Sequence, residues 1–94
     1  MQFLVIAYDG TDAEAAQRRH AAREAHLAGA RRRKAEGRTV AGGAILDEAG
    51  RMIGSAAIVD YPSRDELDTW LRTDPYVTGG VWVDIQVQPF RQAV

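Results

Sequence analysis

The 94-residue sequence predicts an α+β fold in which four strands form one antiparallel sheet and two helices cover one of its faces. Three observations lead to this prediction. An apolar run opens the sequence, a long segment rich in Ala, Arg and Glu follows it, and the remainder divides into strand, strand, helix and strand patterns. The order is therefore β-α-β-β-α-β, the ferredoxin-like arrangement. With 46% hydrophobic residues, the chain is long enough for one domain over residues 1–94 and too short for two.

The first strand is predicted over residues 2–8, QFLVIAY, which are nearly all apolar and end at the turn signal Asp9-Gly10. Since both faces of this strand are apolar, we expect both to be covered. The two helices cover one face. We expect a second copy of the chain to cover the other, because isologous homodimers are the commonest closed assembly.

The first helix is predicted from Asp12 to Glu36, where good helix formers dominate. Thr11 or Asp12 is placed to cap its start, and Gly37 is placed to end it. Large apolar side chains are almost absent, so the buried face should be mostly alanine. The stripe predicted to share one face comprises residues 16, 20, 23, 27, 30 and 34.

The middle of the chain predicts a hairpin and a short helix. Segments 38–46 and 52–61 are rich in strand formers, and the acidic sequence DEAG separates them. Ser63, with Glu66 three residues later, has the form of a capping box at a helix start. The apolar residues of this helix share one face: Leu67, Trp70 and Leu71.

The last strand is predicted over residues 81–90, VWVDIQVQPF, because polar and apolar residues alternate. One predicted face comprises Val81, Val83, Ile85 and Val87. The other comprises Trp82, Asp84, Gln86 and Gln88. A polar face that carries a tryptophan indicates a shared cavity or an interface rather than bare solvent.

The composition disfavours several classes of function. The net charge of -1 and the pI of 6.1 do not favour nucleic acid or an anionic membrane as partners. The basic cluster at 30–38 is expected to be a solvated helix end. Without cysteine there is no thiolate site or disulfide, and we expect a cytoplasmic protein with no export signal and no membrane span.

Several short motifs give the chain a wider resemblance. They are Arg23, His26 and Leu27 in the first helix, Gly42-Gly43 and Gly54-Ser55 in the hairpin, Asp74-Pro75-Tyr76 after the second helix, and Pro89-Phe90 at the end. In order and spacing these residues resemble the YCII-related (YciI-like) family of the dimeric α+β barrel group. The resemblance covers almost the whole chain. It departs from the family pattern where Ala44, rather than a proline, follows Gly43.

The resemblance implies a pocket between helix and sheet that holds an acid/base pair. The chemistry of such a pair needs no metal, and we expect no cofactor. Carried over by position, the pair is His26 and Asp74. The residues implied to bind an anionic or hydroxylated ligand are Arg23, Ser55, Tyr76 and Gly43. One branch of the family looks like a dehydrochlorinase of chlorinated hydroxyhydroquinones, and the wider superfamily includes muconolactone isomerases and cofactor-free oxygenases.

A histidine and a carboxylate in contact can act as an acid/base pair for chemical reasons that do not depend on the family resemblance. Histidine titrates near neutral pH, and a carboxylate bonded to one ring nitrogen fixes its tautomer and stabilises the imidazolium. A guanidinium at Arg23 could hold a carboxylate, phenolate or enolate. Structural alternatives remain open. Asp74 ahead of Pro75 could only cap a short helix, and a single histidine such as His26 is often structural. His20 is six residues from His26, and this spacing does not suit two metal ligands on one helix face.

Three functions therefore compete. The first is a small dimeric lyase or isomerase that acts on an oxygen-rich substrate, with aromatic compounds and lactones as candidates. The second is a non-catalytic dimeric domain that binds a small molecule or a partner in the same pocket. The third is a structural dimerisation module in which Trp82 and its polar neighbours fill the interface and leave no cavity.

Overall fold

The computed structural model describes all 94 residues and confirms the predicted α+β fold. Seven elements follow one another: β1 Gln2–Asp9, α1 Ala15–Ala35, β2 Thr39–Leu46, β3 Met52–Asp60, α2 Arg64–Thr73, α3 Pro75–Thr78 and β4 Trp82–Phe90. The four-residue helix α3 is additional to the predicted element order, although a short helix capped by Asp74 was one structural alternative for the Asp74-Pro75 pair. It follows α2 directly, with Asp74 between the two.

The four strands form one sheet in the order β2-β3-β1-β4, and every neighbouring pair is antiparallel. The first strand is therefore central, between β3 and β4. Val5, at its middle, lies opposite Ala57 on β3 and Val87 on β4. This is the split arrangement predicted from the order of the elements.

The core lies between one face of the sheet and the helices α2 and α3. Alternate residues of β1 are buried on this face, and Leu67 of α2 and Val59 of β3 are completely buried. Tyr76 of α3 and Val81, which precedes β4, close the same cluster. The amphipathic pattern of α2 thus places its apolar side where it was expected.

Helix α1 packs differently from the prediction. It begins at Ala15 rather than at Asp12, and its N-cap is Glu14, which receives no side-chain cap. The Asp12 carboxylate binds the guanidinium of Arg18 at 2.6 and 2.8 Å and accepts from the Glu14 amide at 3.3 Å. Gly37 ends the helix as predicted, with a positive φ of 77°.

The buried stripe of α1 is also shifted by one position. Its buried residues are Ala15, Arg19 and Gly29, whereas Ala16, His20 and Arg23 of the predicted stripe are exposed. The prediction took the apolar and small residues as the inward ones, but paired arginines occupy that side. None of the helices combines the length and the apolar character that crossing a bilayer would require.

A β-bulge changes the predicted faces of β4. Tyr8 lies opposite Asp84, but the next residue, Asp9, lies opposite Trp82, so Val83 has no partner on β1. Trp82 consequently joins Ile85 and the helix-covered side of the sheet, where it is 7% exposed. The predicted strict alternation, with Trp82 on the side of Asp84, is wrong at this point. An extra residue in one strand is not visible as a break in an alternating sequence.

Ser63 caps the first turn of α2, and this cap can be tested by substitution. Ser63 Oγ accepts a hydrogen bond from the Glu66 amide at 3.2 Å, which satisfies one of the free N–H groups of the first turn. We expect Ser63→Ala to lower the free energy of unfolding by about 1 kcal/mol. Ser63→Asp, which keeps an acceptor, should retain most of the stability in the same urea titration. Equal losses in both variants would contradict the capping role.

Candidate active site

Asp74 lies at the junction of α2 and α3, where its backbone is extended and the chain changes direction. Pro75 begins α3, and Asp74 Oδ1 accepts a hydrogen bond from the Tyr76 amide at 2.9 Å. The carboxylate is therefore an N-cap, as the structural alternative predicted. Only 1% of the residue is exposed.

The same oxygen also meets His26 of α1. The distance between His26 Nδ1 and Asp74 Oδ1 is 2.8 Å, and the two residues are 48 positions apart in the chain. The histidine side chain is 14% exposed and the aspartate side chain is 0% exposed. Capping and pairing thus coexist on one carboxylate, so the two interpretations of Asp74 are not alternatives.

The second oxygen of Asp74 is equally occupied. Oδ2 accepts from Arg33 Nη2 at 3.2 Å and from Trp70 Nε1 at 3.0 Å. Burial alone would raise the pKa of Asp74, but hydrogen bonds from His26, the Tyr76 amide and Trp70 outweigh it and hold the pKa below its usual value. The group is therefore an ionised acceptor at neutral pH.

An ionised carboxylate cannot donate, so His26 Nδ1 must carry the proton of their hydrogen bond. In neutral His26 this leaves Nε2 as an unprotonated acceptor, and Nε2 has no hydrogen-bond partner within the protein. The ring is fixed by its packing: it stacks on Tyr76 with centroids 3.8 Å apart and meets the edge of Trp82 at 5.5 Å. The imidazole is thus held in one tautomer and one orientation.

A second buried ion pair lies towards the other end of α1. Arg19 Nη1 donates to both carboxylate oxygens of Asp9, at 2.9 and 3.0 Å, and both residues are less than 10% exposed. Arg19 Nη2 donates to Ser55 Oγ at 3.2 Å. Trp82 Nε1 donates to the same oxygen, also at 3.2 Å. The bulge in β4 matters here, since it turns Trp82 towards Ser55.

A cavity of about 650 Å³ lies between α1 and the sheet, beside His26. Its wall is largely apolar, and its charged lining is entirely basic: Arg19, Arg23, Arg31, Arg33 and Lys34. No carboxylate lines it. Two of the five cations, Arg19 and Arg33, are paired with buried aspartates. The other three have no carboxylate partner, so the cavity is electropositive in a chain whose net charge is -1.

The cavity brings together five of the six residues that the sequence singled out: Arg23, His26, Gly43, Ser55 and Tyr76. Asp74 lies behind His26 and does not line it. Arg23 makes no hydrogen bond or ion pair within the chain. A Cβ on Gly43 would meet nothing within 4 Å, so its contribution to the wall is backbone rather than a close fit that only glycine allows. A cavity next to His26 also argues against the structural module, in which Trp82 would fill the space.

The sequence patterns did not identify four residues that build the site: Asp9, Arg19, Arg33 and Trp70. Trp82 was expected at a cavity or an interface, but on the other face of β4. One signal was available. Residues 19, 26 and 33 are spaced by seven, which places them on one side of a helix over two turns each. Arginine at an inward position is uncommon unless it is paired, and the pairing aspartates are distant in sequence.

Fold and site together define a small ferredoxin-like protein with a buried His-Asp pair beside an electropositive cavity. The chain belongs to the YCII-related family, whose family model matches residues 1–91. A search of curated protein sequences found no match.

Solved structures include a neighbour of high similarity. It is 5-chloro-2-hydroxyhydroquinone dehydrochlorinase from Burkholderia phenoliruptrix AC1100 in complex with 2,5-dihydroxybenzoquinone. The TM-score is 0.87 at 26% sequence identity, and the match covers 99% of this chain and 96% of that chain. The present protein thus shares its fold with this dehydrochlorinase over essentially the whole chain.

The buried carboxylate predicts a specific pH dependence of stability. A depressed pKa in the folded state means that Asp74 stabilises the fold above its unfolded value of about 3.9, and that this contribution is lost as the pH falls through the folded value. We expect Asp74→Asn to lower the free energy of unfolding by about 3 kcal/mol or more at about pH 5, since Arg33 would lose its buried partner. The difference from wild type should shrink as the pH is lowered below about 4.

Urea titrations over this pH range measure the effect. Asp68→Asn is the matched control, because Asp68 pairs with Arg64 on the exposed side of α2 at 2.9 Å and such pairs contribute little. A pH-independent difference between wild type and Asp74→Asn would contradict the ionised state assigned to the carboxylate.

Proposed function

We propose that this YCII-related protein is an enzyme of lyase or isomerase type that moves a proton on a small, oxygen-rich, anionic substrate. His26 Nε2 is the base, and Asp74 orients the ring and stabilises the imidazolium that forms. Arg23, Ser55 and Tyr76 bind the substrate. The backbone at Gly43 borders the bound molecule.

The observation that carries this proposal is the 2.8 Å contact between His26 and an almost completely buried Asp74, with the opposite ring nitrogen unpartnered at a cavity. A histidine that only faces solvent would not be paired with a buried carboxylate. A purely structural histidine usually uses both nitrogens. Here one nitrogen is fixed and the other is available, which is the arrangement that general base catalysis requires.

The charges of the cavity support an anionic substrate. Its cations outnumber the carboxylates that pair with them, and Arg23 at the edge has no partner. A guanidinium binds carboxylate, phenolate and enolate oxygens and gains strength as negative charge develops on them. The largely apolar remainder of the wall suits an aromatic or lactone body.

The proposed step balances without another reactant. His26 Nε2 takes a proton from the substrate, and the electrons of the broken bond form a new double bond. In a lyase reaction a leaving group such as chloride departs with its own electron pair. In an isomerisation the imidazolium returns the proton to another atom. Since the dehydrochlorinase is similar over nearly its whole length, chlorinated hydroxyhydroquinones are the first substrates to test.

The role of His26 predicts a large loss of turnover without loss of fold. We expect His26→Gln to lower the rate of chloride release from a chlorinated hydroxyhydroquinone by about 10²- to 10⁴-fold. For substrates without chlorine, deuterium uptake from D₂O at the reacting carbon provides the equivalent readout. His20→Gln is the matched control, since His20 is exposed on the same helix and makes no hydrogen bond.

Circular dichroism should show that both variants remain folded. Full activity in His26→Gln would refute the assignment of the base. If the wild type binds these compounds saturably without converting them, the non-catalytic ligand-binding alternative replaces the enzyme.

We also propose that the protein is a homodimer whose two sheets face each other. The sheet face opposite the helices carries Leu4, Ile6 and Tyr8 of β1 beside Ile58 of β3. Leu4, Ile6 and Ile58 are only half-buried in the isolated chain, and Tyr8 is 40% exposed. Covering this contiguous apolar face with its own copy would remove it from water.

Light scattering after size exclusion tests the dimer directly. We expect a mass near twice the 10.3 kDa of the chain. Ile6→Lys, at the centre of the face, should shift the protein towards the monomer, because a buried unpaired charge opposes association. Ala28→Lys on the exposed side of α1 should leave the mass unchanged. A wild-type monomer at high concentration would disprove the assembly.

A further inference from the structure

The hydroxyl group of Ser55 has an unusual hydrogen-bonding position. Ser55 lies on β3 and lines the cavity next to Tyr76 and Trp82. Its oxygen accepts from Arg19 Nη2 and from Trp82 Nε1, each at 3.2 Å. A guanidinium and an indole N–H can only donate hydrogen bonds, so neither can accept one from the Ser55 hydroxyl.

These two bonds use the whole acceptor capacity of the hydroxyl. A serine oxygen has two lone pairs and one O–H. With both lone pairs engaged, the only remaining capacity is donation of the O–H, and the Ser55 proton has no acceptor within the chain. We propose that Ser55 is a dedicated hydrogen-bond donor to the ligand, and that it selects a ligand bearing a bare acceptor oxygen at this point.

This inference rests on the proposed function and narrows its substrate class. The matching group is a carbonyl oxygen or an ionised phenol or enol oxygen. An N–H group at the same point would face a hydroxyl that cannot accept from it, leaving two donors in opposition. The charge on Arg19 polarises the Ser55 hydroxyl and strengthens its donation, as in other chains of hydrogen bonds.

Asp9 and Arg19 act as positioning residues for this donor. The Asp9 carboxylate holds Arg19 Nη1 through two bonds of 2.9 and 3.0 Å, in a pair whose members are 8% and 7% exposed. Nη2 is thereby fixed towards Ser55. Asp9 and Arg19 therefore help determine that Ser55 donates rather than accepts, and neither needs to contact the ligand to do so.

A pair of probes of the same shape tests the direction of this bond. 2,6-Dichlorophenol, measured at a pH at which it is ionised, presents an oxyanion, whereas 2,6-dichloroaniline presents an NH₂ group in its place. Titration calorimetry gives the dissociation constant of each probe for the wild type, Ser55→Ala, Ser55→Thr and Trp82→Phe. Ser63→Ala is the control for loss of a serine hydroxyl away from the cavity.

We expect Ser55→Ala to weaken binding of the phenolate by about tenfold or more, as for other hydrogen bonds to a charged acceptor. Binding of the aniline should not weaken, because the alanine removes a donor that opposes the NH₂ group. Ser55→Thr and Ser63→Ala should resemble the wild type. Trp82→Phe returns a lone pair to Ser55, so the ratio of phenolate to aniline affinity should fall by severalfold although the serine is still present.

Equal changes for both probes in Ser55→Ala, or no change for either, would overturn the proposal. So would a wild-type affinity ratio in Trp82→Phe, or a wild type that binds neither probe. These readouts concern binding alone and need no turnover. A failure of the His26 assignment, seen as full activity of His26→Gln, is therefore distinguishable from a failure of the Ser55 assignment.

Discussion

The buried charge of Asp74 is the constraint on which the rest of this structure depends. A carboxylate that is 1% exposed is costly unless every lone pair is matched, and four donors from three helices meet it. His26 and Arg33 come from α1, Trp70 from α2 and the Tyr76 amide from α3. The carboxylate therefore fixes the relative positions of the helices and also the tautomer of the histidine. The packing of the helices and the orientation of His26 therefore depend on the same carboxylate.

The arrangement explains how α1 can have so few apolar side chains. Its inward side is attached to the remainder of the fold by two buried ion pairs, Arg19 with Asp9 and Arg33 with Asp74, at opposite ends of the helix. Between these attachments the helix lines the cavity with few apolar side chains, namely Leu27 and Ala30. Ion pairs hold the helix above the sheet without filling the space beneath it, and the cavity occupies that space. A leucine-rich α1 would pack more closely and leave no room for a ligand.

The helices and strands could largely be predicted from the sequence, whereas most of the contacts between them could not. Periodicity, caps and turn residues predicted four strands and two of the three helices, because those signals are local. The pairing of His26 with Asp74 came from the family resemblance, since no spacing rule connects residues 48 positions apart. The stripe on α1 was predicted one residue off because hydrophobicity identifies buried apolar side chains and not buried arginines. Trp82 was placed on the wrong face because one bulge residue, Val83, reverses the alternation.

The positive charge of the cavity depends on the positions of the aspartate and glutamate side chains rather than on their number. The chain carries 13 acidic and 12 basic side chains, so its overall charge predicts nothing about the site. Asp9 and Asp74 stand one layer behind the wall, each neutralising and orienting an arginine, while no carboxylate reaches the cavity itself. The acids thus determine the tautomer of His26 and the position of Arg19 without repelling an anion. The resulting surface combines fixed donors, unpaired cations and one histidine nitrogen without a partner, and the proposed proton transfer from an anionic substrate rests on this combination.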